Sequence, residues 1–366
     1  MFQQIADMGH ERVLLCSNPE VGLRAIIAVH STVLGPGLGG LRMWPFKDFD
    51  EALTDVLRLS RGMTYKAAAA GLNLGGGKAV ILGDAKTDKS EALFRAFGRY
   101  VESLNGLYIT AEDVGTDMED MEIILTETRW VSGVSPAHGG SGDPSPVTAY
   151  GVLQGMKAAA KWTWDSSELK SRSVAIQGLG SVGYFLAKYL HREGAKIIGA
   201  DIDTEQAQKA ADEFGIEIVS PDDIVQADCD ILAPCALGAT LSESTIPELK
   251  CRIVAGAANN QLENEERDGQ ALHEREILYG PDFVINAGGL INVYNELTGS
   301  YNQERALRMT RGIYLNMMRV FEISKNDAVP TYVAADRMAE ERITTIKRLG
   351  ARHWGRFIRN HQPESG

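Results

Sequence analysis

The feature that most constrains the fold of this chain is a strand, a glycine-rich turn and a helix that follow one another directly. Residues 173–177 form a short apolar strand, and Gly178-Leu-Gly180-Ser-Val-Gly183 comes immediately after it. A helix is predicted over 184–192, and the next strand, 196–200, ends on Asp201. This order, with glycines at these positions and an acidic residue beyond them, predicts a doubly wound parallel sheet that binds a dinucleotide.

The three glycines of this turn have different physical roles. Gly178 permits the tight turn, Gly180 lets the backbone approach a pyrophosphate, and Gly183 lets the helix pack closely on the strand. The N-terminus of the helix adds free N–H groups and a partial positive charge for the phosphates. The alternative is a glycine turn with a purely structural role.

Asp201 indicates which dinucleotide is bound. Its carboxylate can accept hydrogen bonds from both ribose hydroxyls, and Asp203 and Glu205 follow it, whereas no basic residue appears before Lys209. A 2′-phosphate would be repelled here, so NAD is favoured over NADP. FAD would fit the same turn, but its βαβ unit usually lies near an N-terminus, and this unit lies in the middle of the chain.

Two later segments, 234–238 and 256–261, each follow a predicted strand. Ligands of open parallel sheets lie at the carboxyl ends of the strands, and small residues there leave room for a cofactor. The Asn259–Asn260 pair could bind a carboxamide or a substrate amine, although both segments could be ordinary strand-to-loop turns. The predicted cofactor-binding set is Thr148, Gly178, Leu179, Gly180, Ser181, Val182, Gly183, Asp201, Ile202, Cys235, Ala236, Leu237, Ala258, Asn259 and Asn260.

Two lysines, Lys66 and Lys78, form a second candidate site. Lys66 opens a run of alanines, whereas Lys78 follows the three glycines 75–77 and opens an apolar run, 79–82, that is predicted to be a buried strand. Glycines let the backbone pass close to a ligand because they lack Cβ. Two desolvated lysines brought together would lower each other's pKa, and such a lysine can act as a general base. The alternative is a glycine-rich turn with two solvated lysines.

The length of 366 residues exceeds what one core usually supports, so two domains are expected. Residues 132–148 are dense in Gly, Pro and Ser, which is typical of an interdomain loop. The predicted domains are 1–135 and 145–327, and the helical region 328–366 is predicted to return to the first domain. Other elements are predicted as helices over 50–62 and 90–105 and strands over 107–115, 229–233, 252–256 and 282–285.

The composition excludes several classes of partner. The net charge of −12 argues against nucleic acid as a partner, because phosphate binding needs a basic face. No apolar run is long enough to span a bilayer, and no signal peptide is visible. The four cysteines lack CxxC spacing, so buried free thiols are expected rather than a disulfide or a metal site. These features predict a cytoplasmic protein.

With these motifs together, the chain resembles the superfamily of glutamate, leucine, phenylalanine and valine dehydrogenases, and within it most of all the leucine dehydrogenases. The resemblance covers nearly the whole chain. It is carried by Leu34-Gly-Pro-Gly-Leu-Gly-Gly-Leu-Arg-Met-Trp44, Met63-Thr-Tyr-Lys66, Gly75-Gly-Gly-Lys78, Thr110-Ala-Glu-Asp-Val-Gly115, Pro144-Ser-Pro-Val-Thr-Ala-Tyr150, Gly178–Gly183, Pro234-Cys-Ala-Leu-Gly238, Ala257-Ala-Asn-Asn-Gln261 and Val284-Ile-Asn-Ala-Gly-Gly-Leu-Ile-Asn292.

The resemblance implies a two-domain α/β enzyme, in which a substrate domain and a Rossmann-type NAD domain are separated by a cleft. It implies reversible oxidative deamination of an L-amino acid to a 2-oxo acid and ammonia, with NAD as cofactor. Lys66 would bind the α-carboxylate, Lys78 would activate the attacking water, and Asp113 would exchange protons with the amine. Asp113 could instead only pair with a lysine and hold its loop. A homo-oligomer, either an octamer or a dimer, is also implied.

The resemblance further implies an apolar pocket for the substrate side chain. Glutamate dehydrogenases carry a lysine where this chain has Leu38, so a second carboxylate would be buried here without a partner. The pocket residues, each of which could also be ordinary core packing, are Leu38, Gly39, Met63, Ala111, Leu290 and Val293, with Asn260 as a further substrate-binding residue.

The preferred amino acid stays open at this level. Leucine, valine and isoleucine are expected, but Leu290 departs from the valine of leucine enzymes, and the stretch 286–295 also resembles tryptophan dehydrogenases. A phenylalanine or tryptophan dehydrogenase is therefore the alternative. A non-catalytic sensor of NAD or amino acids with the same fold is a third hypothesis, and the presence of Lys66, Lys78 and Asp113 together argues against it.

Overall fold

A computed structural model describes residues 1–236, 238–298 and 300–350. The chain forms two compact units. The first contains Met1–Gly142, Val293–Gln303 and the described residues from Ala339 onward, and the second contains Asp143–Asn292 and Glu304–Met338. These limits differ from the predicted ones in three respects. The first segment ends at Gly142 rather than at 135. The C-terminal return to the first unit begins at Ala339 rather than at 328, and the sequence did not predict the earlier return at Val293–Gln303.

The first unit is built on a six-stranded mixed sheet. Its strands are β1 (Arg12–Asn18), β2 (Leu23–Ser31), β3 (Gly37–Leu38), β4 (Leu41–Trp44), β5 (Gly75–Leu82) and β6 (Tyr108–Ile109), and its helices include α1 (Phe2–Asp7), α2 (Phe49–Ala69), α3 (Glu91–Ser103) and α4 (Met118–Leu125). The strand order is β1-β2-β5-β3-β6, with β4 also paired to β5. Strands β1 and β5 run antiparallel to β2, whereas β3 and β4 run parallel to β5.

Helix α2 lies on one face of this sheet. It begins at the N-cap Asp48, whose side chain accepts a hydrogen bond from the Glu51 backbone N–H. Its apolar side, which includes Leu53 and Val56, packs against Val80 of β5 in one buried cluster. The predicted helix ended at residue 62, but α2 continues for two further turns and therefore includes Lys66.

The three glycines before Lys78 lie inside strand β5 and not in a turn. A Cβ on Gly76 would lie 2.2 Å from Oγ1 of Thr64 in α2, and a Cβ on Gly77 would lie 2.6 Å from the ring of Tyr108. The prediction that these glycines make room for a ligand is therefore wrong. They make room for the neighbouring helix and the neighbouring aromatic ring, and Lys78 lies in the interior of a strand.

The second unit is built on a six-stranded parallel sheet. Its strands are β7 (Ser173–Gln177), β8 (Lys196–Ala200), β9 (Glu217–Ile218), β10 (Ile231–Pro234), β11 (Ile253–Val254) and β12 (Leu278–Tyr279). The remaining α-helices among the described residues are α5 (Ser145–Trp164), α6 (Ser181–Arg192), α7 (Thr204–Phe214), α8 (Glu265–Glu274), α9 (Asp282–Ile285), α10 (Gly288–Leu297), α11 (Gln303–Thr310), α12 (Gly312–Asp327) and α13 (Thr331–Lys347).

The strand order β12-β11-β10-β7-β8-β9 reverses direction between β7 and β10. In doubly wound sheets ligands bind at this reversal, outside the carboxyl ends of the strands. The bounds of β7 and β8 agree with the predicted strands, because their alternation with the glycine turn and helix is encoded in contiguous residues. The doubly wound sheet is thereby confirmed.

Two predicted strands are wrong. Residues 282–285 form the short helix α9, and the sixth strand is β12, just before it. An apolar run as short as 283–285 cannot distinguish helix from strand by periodicity. Of the predicted strand 107–115, only β6 pairs in a ladder. Beyond it, Thr110 and Glu112 form isolated bridges with Val131 and Leu41, respectively.

Within the described ranges, no helix is long and apolar enough to cross a membrane, and no group of His, Cys, Asp and Glu could hold a metal ion. All four cysteines are free thiols, and Cys16, Cys229 and Cys251 are buried. Burial raises the pKa of Cys16 and Cys229 to about 12, so both thiols stay protonated near neutral pH.

Candidate active site

Lys78 and Asp113 form a buried ion pair in the first unit. Nζ of Lys78 lies 2.9 Å from Oδ2 of Asp113, and the Lys78 side chain is only 7% exposed. Asp113 is 24% exposed, so the carboxylate opens toward solvent on one side. A buried lysine is tolerated when a carboxylate compensates its charge. The structure thus brings together two residues that lie 35 positions apart in the sequence.

The backbone of β4 positions Asp113 beside Lys78. Leu41 and Met43 donate backbone hydrogen bonds to Ala111 and Val114, at 2.7 and 2.9 Å, so the segment that carries Asp113 runs along β4. Oγ1 of Thr116 accepts from the Asp113 N–H at 3.0 Å and donates to the Leu41 carbonyl at 2.7 Å. These contacts fix the backbone on both sides of the carboxylate.

Burial and charge shift the pKa of both partners downward. Burial lowers the pKa of Lys78 below its usual value, the contact with Asp113 opposes this, and the charge of Arg42 lowers it further. For Asp113, burial acts against ionisation, but the charges of Lys78 and Arg42 outweigh it and lower its pKa. Asp113 is therefore a carboxylate at neutral pH, and Lys78 reaches its neutral form more readily than an exposed lysine.

Arg42 and Asp55 also belong to this site, although the sequence analysis assigned them no role. Arg42 lies on β4 opposite Val80, and its Nε lies 2.9 Å from Oδ2 of Asp113. Its Nη1 lies 2.9 Å from Oδ2 of Asp55 on α2. Arg42 lies within the stretch 34–44 that carries the family resemblance, and this could have marked it as a site residue. Nothing in the sequence, however, links this arginine to an aspartate on a helix.

Lys66 lies in the last turn of α2 and is partly exposed. It follows Asp55 by eleven residues, which is about three helical turns, so both side chains leave α2 on the same side. Asp55 is the helix residue that contacts the Arg42–Asp113–Lys78 group. The binding of a substrate carboxylate by Lys66 stays a prediction.

Three predicted pocket residues of the first unit, Leu38, Gly39 and Met63, lie near one another. Leu38 is 2% exposed and pairs with Gly76 and with Ile109. A Cβ on Gly39 would lie 1.8 Å from the Gly77 carbonyl and 3.4 Å from Cγ of Met63, so only glycine fits this position. The remaining pocket residues are Ala111 and Val293 in the first unit and Leu290, which is 7% exposed, in the second. Their contact with a substrate stays a prediction.

The glycine turn of the second unit has the geometry that its sequence indicates. Gly178 has a φ of +94°, a conformation that side chains disfavour, and a Cβ on Gly183 would lie 1.9 Å from the Gly178 carbonyl. Gly180 is the N-cap of α6, and a Cβ there would meet nothing within 4 Å. No side chain caps this helix, so the N–H groups of Ser181 and Val182 begin an uncapped turn.

Asp201 connects the turn to the end of β8. Its Oδ2 accepts a hydrogen bond from the Leu179 N–H at 2.6 Å, and its Oδ1 accepts from the Asp203 N–H at 2.8 Å. The carboxylate is thus held at the turn by backbone donors. The Leu179 side chain is fully buried, so this residue could face a ligand only through its backbone. Ile202, in contrast, is 90% exposed.

The loops after β10 and β11 pack against each other and against the glycine turn. The Ala239 N–H donates to the Asn260 carbonyl at 2.7 Å, and a Cβ on Gly238 would lie 2.6 Å from the Asn259 carbonyl. A Cβ on Gly178 would lie 2.8 Å from Cβ of Ala236. Of the predicted cofactor residues, Cys235 and Ala236 therefore lie beside the turn, and Ala258, Asn259 and Asn260 lie against β10 and the loop after it. Leu237 lies outside the described residues.

Asn286 is a further residue of this region that the sequence analysis did not assign. Its Nδ2 donates to the Ala257 carbonyl at 3.0 Å and to Oδ1 of Asn259 at 2.7 Å. It therefore fixes the loop that carries the predicted cofactor residues. Thr148, also in the second unit, lies beside Gly289. A Cβ added to Gly289 would lie 3.0 Å from Oγ1 of Thr148.

These features fit a dinucleotide. A pyrophosphate needs a backbone without a Cβ and uncapped N–H groups at a helix N-terminus, and Gly180 with the first turn of α6 provides both. A ribose needs a carboxylate at the end of the second strand, and Asp201 stands there, already oriented by the turn. The binding of a particular dinucleotide stays a prediction.

Comparison with known proteins agrees with this geometry. The profile of the "Glu/Leu/Phe/Val dehydrogenase, dimerisation domain" family matches residues 10–130, and that of "Glutamate/Leucine/Phenylalanine/Valine dehydrogenase" matches residues 139–204 and 200–348. A leucine dehydrogenase from Thermoactinomyces intermedius is 58% identical over 348 residues, which are 95% of this chain and 94% of that protein. An L-tryptophan dehydrogenase from Nostoc punctiforme is 48% identical and covers 95% of this chain and 97% of its own length.

A solved structure shows the same fold. The crystal structure of L-tryptophan dehydrogenase from Nostoc punctiforme superposes with a TM-score of 0.86 at 46% identity and covers 95% of this chain and all of that one. The matched profiles span both units, including the buried Lys78–Asp113 pair and the glycine turn. The chain therefore belongs to the glutamate/leucine/phenylalanine/valine dehydrogenase family and is an amino acid dehydrogenase.

Proposed function

We propose that this chain catalyses the reversible NAD-dependent oxidative deamination of leucine, valine and isoleucine to their 2-oxo acids and ammonia. The observation that carries the proposal is the buried Lys78–Asp113 pair, which supplies a base and a proton acceptor within 2.9 Å of each other. The greater similarity to leucine dehydrogenase than to tryptophan dehydrogenase supports the branched-chain substrates.

The substrate is held by charge at one end and by apolar contact at the other. Lys66, on the same side of α2 as Asp55, binds the α-carboxylate. Five residues of the first unit contact the substrate side chain: Leu38, Gly39, Met63, Ala111 and Val293. Leu290 and Asn260 of the second unit stay predicted substrate contacts. A substrate with a second carboxylate is excluded, because that charge would be buried against Leu38 without a partner.

The chemistry proceeds by proton transfers at two side chains. Asp113, ionised because Lys78 and Arg42 lower its pKa, accepts a proton from the substrate ammonium. NAD, when bound, would supply the hydride acceptor, and loss of hydride from Cα would leave the neutral amine as an iminium. Lys78, whose pKa burial lowers, then removes a proton from the water that attacks the iminium carbon. Asp113 then returns its proton to the amine nitrogen of the resulting carbinolamine. The C–N bond breaks as the hydroxyl oxygen forms the C=O bond, the hydroxyl proton passes to the leaving ammonia to give ammonium, and Lys78 releases its proton to solvent.

The cofactor is held by the glycine turn of the second unit. Gly178–Gly183 and the N-terminus of α6 receive the pyrophosphate, and Asp201 binds the ribose hydroxyls. Asp203 and Glu205 repel a 2′-phosphate, so NAD is preferred to NADP. Thr148, Ile202 and the loops after β10 and β11 complete the site. We further propose that the chain acts in the cytoplasm as a homo-oligomer, and light scattering of the purified protein would distinguish an octamer from a dimer.

One assay tests the activity and the substrate together. Purified protein is mixed with NADH, ammonia and one of a panel of 2-oxo acids, and the loss of NADH absorbance is followed. We expect the highest kcat/KM with 4-methyl-2-oxopentanoate. A preference for phenylpyruvate or indolepyruvate would make the chain an aromatic amino acid dehydrogenase. NADH binding without turnover of any 2-oxo acid would leave only the sensor hypothesis.

The catalytic lysine has a separate test. Lys78→Ala should lower kcat at least about 10³-fold, because general base catalysis is lost, while the affinity for NADH stays nearly unchanged. Lys161→Ala is the matched control, since Lys161 lies on α5 and pairs with Asp165. Near-normal activity of Lys78→Ala would show that another group is the base.

A further inference from the structure

Arg42 and Asp55 extend the Lys78–Asp113 pair into one chain of charges. Nε of Arg42 lies 2.9 Å from Oδ2 of Asp113, and its Nη1 lies 2.9 Å from Oδ2 of Asp55. Their side chains are 23% and 15% exposed, so solvent screens these contacts less than it screens surface pairs. Arg42 thus holds two carboxylates that come from different elements, α2 and the segment after β6.

Both cations bind the same oxygen of Asp113. Nζ of Lys78 and Nε of Arg42 each lie 2.9 Å from Oδ2. Among the described residues, Oδ1 of Asp113 accepts no hydrogen bond. Two donors on one oxygen fix the rotation of the carboxylate, and they leave the other oxygen to meet an incoming donor.

We propose that Arg42 and Asp55 are positioning residues for the reaction: Arg42 holds Asp113 by Oδ2 so that Oδ1 faces the substrate amine, and Asp55 orients the guanidinium of Arg42. This proposal rests on the proposed function. Neither residue touches the reacting atoms, and Arg42 acts through Asp113 and Lys78. A proton acceptor held in one orientation avoids the loss of rate that a displacement of about 1 Å can cause.

Arg42 and Asp55 also have opposite electrostatic effects on Lys78. Within the part of the chain that the structure describes, the charged groups that act on Lys78 are Asp113, Arg42 and Asp55, and the nearby phenol of Tyr108 is fully buried and neutral. Arg42 lowers the pKa of Lys78, whereas Asp55 raises it. Loss of Arg42 should therefore move the Lys78 titration to higher pH, and loss of the Asp55 charge should move it to lower pH. A residue with only a structural role would not produce shifts of opposite sign.

The test compares four variants. Arg42→Met removes the guanidinium but keeps the length of the side chain. Arg42→Lys keeps the charge, although one ammonium cannot bind both carboxylates in the same geometry. Asp55→Asn keeps an acceptor but removes the charge. Arg58→Met is the matched control, because Arg58 also contacts Asp55, at 3.5 Å, but is 63% exposed and lies at the outer end of the chain of charges.

For Arg42→Met we expect kcat to fall about 100-fold, with KM changed less than about threefold, because orientation and not binding is lost. Arg42→Lys should lie between this variant and the unchanged protein, and Asp55→Asn should lose about tenfold. In the pH profile of kcat/KM, the limb that rises with pH should shift to higher pH in Arg42→Met and to lower pH in Asp55→Asn. Unchanged kinetics in Arg42→Met, or equal losses in Arg58→Met, would overturn the proposal.

A second measurement separates this proposal from the proposed function. The Lys78 titration is followed directly by NMR of protein labelled with ¹³C at lysine Cε, without substrate or cofactor. Shifts of opposite sign in Arg42→Met and Asp55→Asn support the electrostatic coupling even if no 2-oxo acid is turned over, in which case only the proposed function fails. Identical titrations in all variants would overturn the positioning proposal while leaving the enzyme activity untouched.

Discussion

Replacement of Gly76 by alanine tests whether the glycines of β5 serve packing. The added Cβ would lie 2.2 Å from Oγ1 of Thr64 and 2.3 Å from the Ser60 carbonyl and the Thr64 nitrogen. Two of these atoms belong to the backbone of α2, so no side-chain rotation relieves the overlap. Helix α2 and strand β5 would have to separate by about 1 Å, the difference between these distances and ordinary contact.

The expected loss of stability follows from this separation. Overpacking of a well-packed core typically lowers the free energy of unfolding by about 1–3 kcal/mol. A clash with backbone atoms should fall at the upper end of this range, because backbone cannot rotate away. The same shift opens the packing of Val80 against Val56 and Leu57, which are fully buried. We therefore expect Gly76→Ala to lower the free energy of unfolding by about 3 kcal/mol or more.

The assay is urea unfolding followed by circular dichroism, with all variants at the same protein concentration because association affects apparent stability. Gly62→Ala is the matched control in α2, the helix that packs against Gly76, since a Cβ on Gly62 meets nothing within 4 Å. This variant should gain about 0.5–1 kcal/mol from helix propensity. A loss below about 1 kcal/mol in Gly76→Ala would refute the packing argument, since it lies under the usual range for overpacking.

Three other predictions concern cofactor binding, the pH dependence of stability and a set of hydrogen bonds within the first unit. Asp201→Ala should weaken NAD binding and reduce discrimination against NADP, whereas an unchanged NAD affinity in titration calorimetry would contradict the assignment. Burial lowers the pKa of His30 to about 4, so the unfolded chain takes up the proton first and stability should fall between about pH 6.5 and 4. His30→Asn, which keeps a partner for Thr64, should flatten this slope in urea midpoints. Glu296 accepts hydrogen bonds from the Gly133 and Ser141 N–H groups, at 3.2 and 2.9 Å. Glu296→Gln should speed amide exchange over 133–142 about tenfold or more, because a charged acceptor is lost.

The second unit illustrates what the sequence can predict. Strands β7 and β8, the turn Gly178–Gly183 and Asp201 lie within thirty residues of one another, and each depends on local constraints such as periodicity and positive φ. The loops after β10 and β11 could also be assigned, because a parallel sheet brings the carboxyl ends of its strands to one edge. The short helix α9 was missed, because its apolar run is too short for periodicity to decide.

The first unit illustrates what the sequence leaves open. The glycines before Lys78 suggested a turn around a ligand, and the structure shows a central strand pressed against α2 and Tyr108. The role of such glycines depends on which element lies above them. Arg42, Asp55, and Glu296 show the same limit, since the partners of each residue lie on separate elements and no spacing in the chain encodes their contacts.

The sequence by itself therefore determined the family, the parallel sheet, the nucleotide turn and the candidate catalytic residues. All of these are expressed in contiguous motifs, whose local geometry follows from the residue types they contain. The tertiary structure alone decided that Lys78 is buried, that Asp113 shares one oxygen between two cations, and that Arg42 joins them to α2. The physical reason is that burial and charge pairing depend on which side chains are neighbours in three dimensions. Folding brings together side chains that lie tens of residues apart in the sequence.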